Sequence, residues 1–186
     1  MQLVTRAAAF ALIMVGATAA QSANIHVHEG SGPVNAEISV PVSIDITSLG
    51  RAAGIDAIDL NFSGSDPLLD IVRFDLNPAL TVWQVDSSGP GLFTLFNFGS
   101  SMTGDFIVGN VVSKSGFLGD YLLRLDAPMV GNPTDVTGID PSNPTNAIHF
   151  DLSLIHGTVS VVPEPSAIAL LAIGALALFR RKSTRV

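Results

Sequence analysis

Between residues 24 and 161 apolar and polar positions alternate with a period of two, the spacing that turns one face of a strand inward and the other to water. Ile38, Val40, Val42, Ile44 and Ile46 alternate with Ser39, Pro41, Ser43, Asp45 and Thr47. Pro41 falls on the outward phase and has no N–H to give a ladder, which predicts an edge strand or a bulge there. Ile58, Leu60 and Phe62 alternate with Asp59, Asn61 and Ser63, and Tyr121, Leu123 and Leu125 with Leu122, Arg124 and Asp126. Ile148, Phe150, Leu152 and Leu154 continue the pattern against His149, Asp151 and Ser153. After Leu154 the phase reverses, and Val159 and Val161 carry the apolar face beyond a turn or bulge at Gly157.

The runs Leu80–Val85, Leu92–Phe98 and Phe106–Val112 are apolar on both phases and read as central strands. Turn-forming residues separate the runs at Ser63–Pro67, Ser87–Gly91 and Gly131–Pro133, and Asp135–Asn146 is dense enough in Pro, Asn, Asp and Gly to read as loop. No ten-residue window of this region has helical periodicity with caps. The expected fold is therefore all-β: a two-sheet antiparallel sandwich over 24–161 with eight or nine strands, flanked by an N-terminal signal helix and a C-terminal hydrophobic helix.

The two ends have a different grammar. Residues 1–23 open with Arg6, continue with the eleven-residue apolar stretch Ala7–Ala17, and reach the small-residue pair Ala17 and Ala19. This is the order of a secretory signal peptide cleaved before Ala20, with a second cut available after Ala23. At the other end, residues 162–186 begin Val162-Pro163-Glu164-Pro165-Ser166. They continue through the thirteen residues Ala167–Phe179, none with a polar side chain, and close on Arg180-Arg181-Lys182. Such a helix reaches about 20 Å against a hydrocarbon core of about 30 Å. The basic cluster is expected to stay cytoplasmic, so the tail reads as a transmembrane segment or membrane anchor before processing, with the body outside.

Pro-Glu-Pro, a short apolar helix and a basic cluster, in that order over Val162 to Arg185, resemble the PEP-CTERM sorting signal of Gram-negative bacteria. The resemblance implies an exosortase-type processing enzyme as partner and Pro163, Glu164 and Pro165 as its recognition residues. It also implies delivery to the cell envelope, outer surface or extracellular matrix of a host that makes exopolysaccharide, the setting of a biofilm matrix. The body, through Glu37–Ile46, Gly54–Leu69, Gly119–Asp126 and Leu154–Val162, resembles the cohesin and carbohydrate-binding-module sandwich superfamily. That resemblance implies a cohesin-like jelly roll. It does not choose among glycan, dockerin and protein ligands.

Charge and chemistry narrow the function further. Residues 24–162 carry 15 Asp and Glu against 4 Lys and Arg, so −11, a poor match for a nucleic-acid backbone. The chain has no cysteine, which excludes disulfides and thiol chemistry. A Gly-x-Ser-x-Gly elbow is missing, and the aspartates fall mostly on outward or turn positions, so no catalytic residue is assigned and no enzymatic activity is expected. His26 and His28 share a strand face at metal-ligand spacing, but an exposed N-terminal strand with polar outward residues, Ile25 and Val27 facing in, accounts for them, and no metal site is assigned. Asp135, Asp140 and Asn143, with Asp56 and Asp59, are the oxygen donors a calcium ion would use, without the spacing of a calcium loop. Trp83, the only tryptophan, is the candidate for stacking on a sugar ring if it is exposed. The expected function is adhesion or scaffolding against exopolysaccharide or another surface protein. The alternatives are a carbohydrate-active hydrolase domain and a protein-binding module that pairs through a sheet edge.

Overall fold

A computed structural model describes residues 22–48, 54–99, 102–126, 134–140, 142–166 and 168–173. The strands are β1 (Ser22–Val27), β2 (Gly30–Pro33), β3 (Ile38–Ser48), β4 (Ala57–Asn61) and β5 (Asp70–Leu76). They continue as β6 (Trp83–Gly89), β7 (Leu92–Asn97), β8 (Gly104–Lys114) and β9 (Gly119–Leu123). The last four are β10 (Asp135–Asp140), β11 (Asn143–His149), β12 (Asp151–Ile155) and β13 (Gly157–Val162).

The expected two-sheet antiparallel sandwich is corrected to three sheets. The first runs β12-β1-β3-β8-β5, the second β11-β10-β4-β7-β6, and the third β2-β13-β9. Nor is the pairing wholly antiparallel. β1 runs parallel to β12, and β2 runs parallel to β13. The two parallel seams are one pairing bent in the middle: Ser22 faces Asp151 and Gly30 faces Val159, an offset of 129 residues both times. Both chains leave the first sheet and enter the third together, around His28–Glu29 on one side and His156–Gly157 on the other. Gly157 permits this bend. A Cβ there would fall inside van der Waals contact of the His28 carbonyl oxygen and 2.8 Å from Val27 Cγ1.

All three sheets contribute to one core. β3 supplies Ile38, Val40, Val42, Ile44 and Ile46, β4 supplies Ile58 and Leu60, and β13 supplies Val159 and Val161, as their alternation predicts. Tyr121, Leu123 and Leu125 are buried on the inward phase of β9 and its extension. The Tyr121 hydroxyl donates to the Phe117 carbonyl at 2.9 Å, which satisfies its polar end. In β2, Gly30 and Gly32 lie so close over Val40 and Ile38 that a side chain at either would collide with them.

Four local expectations are revised. Pro41 does not mark an edge, because β3 runs between β1 and β8; the irregularity is a bulge one residue on, between Val42 and Ser43. Leu80–Val85 is not a central strand. Only its end enters β6, which is the mostly exposed edge of the second sheet. Asp135–Asn146 is not loop but most of the β10–β11 hairpin, in which Gly138 pairs with Ile148. Finally, no long helix flanks the sandwich among the described residues: residues 165–173 form one short helix, with position 167 left out of the description. The signal helix expected over 1–23 lies outside the described residues except for Ser22 and Ala23, which open β1.

Two substitutions test this account. Gly157→Ala is expected to destabilise the body by about 1–3 kcal/mol, seen as a lower urea midpoint, because the added methyl meets backbone that cannot rotate away. Ser113 is fully buried, and its Oγ has no hydrogen-bond partner among the described residues. Ser113→Ala removes a desolvated hydroxyl and is expected to hold stability or raise it by up to about 1 kcal/mol in the same titration.

Candidate functional site

The end of the sandwich is a central strand followed at once by an exposed motif. β13 is gripped on both sides, parallel to β2 and antiparallel to β9, so its position is fixed along its whole length. The grip extends to its last residue, where the Val162 carbonyl accepts from Val34 N–H at 3.2 Å. Pro163 then ends the ladder, since it has no N–H to continue one. Pro163, Glu164 and Pro165 are all exposed.

The same three residues start the helix. The Glu164 carbonyl accepts from Ile168 N–H at 3.3 Å, the first intrahelical bond, which makes Glu164 the N-cap and Pro165 the first helical residue. The Glu164 carboxylate accepts from the Ser166 hydroxyl at 3.3 Å and lies at the positive end of the helix dipole. Pro-Glu-Pro thus performs three local tasks in three residues: strand stop, cap, helix start. The junction between the last body residue and the helix is only two residues long, and both are open to solvent.

Past the junction the helix presents Ile168, Leu170, Leu171 and Ile173 to solvent, each more than half exposed. The membrane-spanning anchor expected from sequence is corrected here. Over residues 165–173 the helix is about 14 Å long, half of a hydrocarbon core, and no described helix is long and apolar enough to cross a membrane. The rest of the apolar run and the Arg180-Arg181-Lys182 cluster lie outside the described residues, as do Ala17 and Ala19.

The remaining sequence candidates are scattered. Trp83 is buried, 4% exposed, and its indole N–H donates to Met102 Sδ at 3.2 Å. His26 of β1 and His28, the residue just past its end, bring their ring centroids to 4.1 Å. His156 accepts from Leu125 N–H at 3.3 Å through Nδ1. The oxygen donors for calcium are engaged locally: Asp56 accepts from Ile139 N–H, Asp140 from Ser142, and Asn143 from Thr145. No three His, Asp or Glu side chains stand together at metal-binding distances among the described residues.

One contact was missed because β10 reads as loop. His149 Nδ1 stands 2.6 Å from Asp135 Oδ2, since the hairpin sets His149 opposite Thr137, two residues along from Asp135. A period-two reading of Val136, Gly138 and Asp140 would have found the strand. On the outer face of the first sheet Arg73 bridges Glu37 at 2.6 Å and Asp75 at 2.9 Å. These hydrogen bonds, that to Glu37 foremost, raise its already high pKa. At an exposed site the pair contributes little to stability.

Residues 161–183 match the PEP-CTERM protein-sorting motif, which covers the junction and the helix. No curated protein matches the chain in sequence. The body is similar in structure to the seventh ScaB type I cohesin of Pseudobacteroides cellulosolvens. The TM-score is 0.55 at 17% identity, over 76% of this chain and 93% of that one. It is similar also to a non-cellulosomal cohesin of the archaeon Archaeoglobus fulgidus, with TM-score 0.52, 15% identity, and 80% and 96% of the two chains covered. The third ScaB cohesin of R. flavefaciens, solved in complex with a group 1 dockerin, gives 0.55 at 16% identity over 78% and 99%. At such identities the likeness establishes the cohesin fold, and the motif establishes an extracytoplasmic, surface-directed chain.

Because every body hydrogen bond to β13 is made by Val162 or earlier, the sandwich is expected to melt at the same temperature with or without the tail. A chain ending at Val162 should match the full chain within about 2 °C, whereas one ending at His156, which lacks β13, should show no cooperative transition by circular dichroism.

Proposed function

We propose that this protein is a non-enzymatic surface module, exported by its N-terminal signal and processed at Pro163-Glu164-Pro165 by an exosortase-type enzyme. Its β-sandwich then serves adhesion or scaffolding in a polysaccharide-rich envelope or matrix. The observation that carries this reading is the junction. The recognition residues begin one residue after the last body hydrogen bond and lie fully in the open, so an enzyme can take the motif without disturbing the fold. The domain limits follow the same logic: signal before the body, sandwich over 24–161, sorting segment over 162–186. Of the two signal cuts, the one before Ala20 is supported by β1, since a cut after Ala23 would remove Ser22, which pairs with Asp151, and the buried Ala23.

Between a glycan and a protein as the contacted partner, aromatic placement favours a protein. Trp83 and Tyr121, the single residues of their kinds, are both turned into the core and offer no ring face to a sugar. The cohesin solved with a dockerin shows that this fold presents a protein-binding surface in at least one relative.

Replacing Pro163, Glu164 and Pro165 together by alanine tests the reading in a host that carries the processing enzyme. The wild-type chain is expected in the extracellular fraction with an intact mass ending near Pro163–Ser166. The variant is expected to keep its tail and to be missing from that fraction. Identical masses and fractions for both chains would refute the assignment.

A further inference from the structure

We propose that His26 and His28 form a two-imidazole site for a late first-row divalent ion, copper(II) or zinc, on the outer face of the first sheet. Alternation along β1 sends Ala23, Ile25 and Val27 into the core and leaves His26, with His28 one residue past the end of the strand, half-buried away from it. Residues two apart on a strand normally hold their side chains roughly 7 Å apart at the backbone. Here the rings converge to 4.1 Å between centroids, tilted by 33°. Two imidazoles on adjacent positions of one four-coordinate ion, with metal–nitrogen bonds of about 2.0 Å, set their centroids roughly 4.5–5 Å apart. The pair therefore needs to open by less than about 1 Å to admit an ion.

The surroundings fit that use. His28 Nε2 shares a hydrogen bond with Ser43 Oγ at 3.0 Å, which fixes the ring and leaves Nδ1 as the free donor atom. Across β1, His26 faces Ser43 on β3 and Ile155 on β12. One row along the same face, Asp45 of β3 is paired directly with Asp105 of β8. Like charges set opposite each other destabilise a ladder, and neither carboxylate has a cationic partner among the described salt bridges. The two carboxylates give this face a negative field that draws a cation to the imidazoles. Imidazole is the ligand type that suits copper and zinc, and two protein ligands leave coordination positions open to solvent or to an outside donor.

The full chain, purified without a polyhistidine tag, is titrated with copper(II) chloride by calorimetry and by electron paramagnetic resonance. Residues ahead of Asn24 remain attached, so a free amine cannot assemble a chelate with His26. One equivalent is expected to bind with two nitrogen donors in the spectrum. His26→Gln and His28→Gln should each weaken binding at least ~10-fold, while His149→Gln leaves it unchanged. Equal affinity in the His26→Gln, His28→Gln double variant, or a wild-type spectrum without two nitrogen donors, would overturn the proposal. The spectrum decides the matter even if a variant fails to fold.

Discussion

The structure depends on the joining of its two ends. β1 and β12 run side by side in the first sheet, then β2 and β13 continue side by side in the third with no change of register. A parallel pair needs a long connection, and here the connection is nearly the whole domain. The other strands of the first and third sheets are added to the flanks of this seam: β3, β8 and β5 beyond β1, and β9 beyond β13. Its weak point is where the two chains bend together, and only a residue without a Cβ fits beside Val27 and His28 at position 157. Three sheets rather than two follow from that bend, because the hydrogen-bonded ladder breaks while the apolar face continues into the same core.

Much of this was legible from residue order, and the exceptions share a cause. Alternation located β3, β4, β9 and β13 and assigned their inward side chains, since a strand with one wet face cannot slip by one residue without exposing its whole apolar set. The phase reversal at Gly157 marked the bend correctly. What was hidden is non-local. Nothing in SANIHV says that it lies parallel to DLSLI, and Pro41 reads as an edge or a bulge until β1 and β8 are placed on either side of it, which leaves the bulge. The β10–β11 hairpin was hidden by composition: its Pro, Asn and Gly are turn formers that the sheet tolerates at an edge. The Asp135–His149 contact was lost with it.

The sorting junction was legible in identity but not in geometry. Pro163-Glu164-Pro165 stands out as a string. That Glu164 caps a helix through Ile168 and Ser166, and that the strand is held up to Val162, appears only when β2 and β9 are in place.

A seam between first and last strands also sets an order in time. A chain that emerges from its N-terminus cannot complete the sandwich until residue 162 has cleared the export channel, because among the described residues β12 and β13 are the neighbours β1 and β2 have on that side. Closure over such a sequence separation is the slow kind. The final strand to dock is therefore the one that carries the sorting signal on its end, so exposure of the motif at a fixed distance from a closed body coincides with the completion of folding.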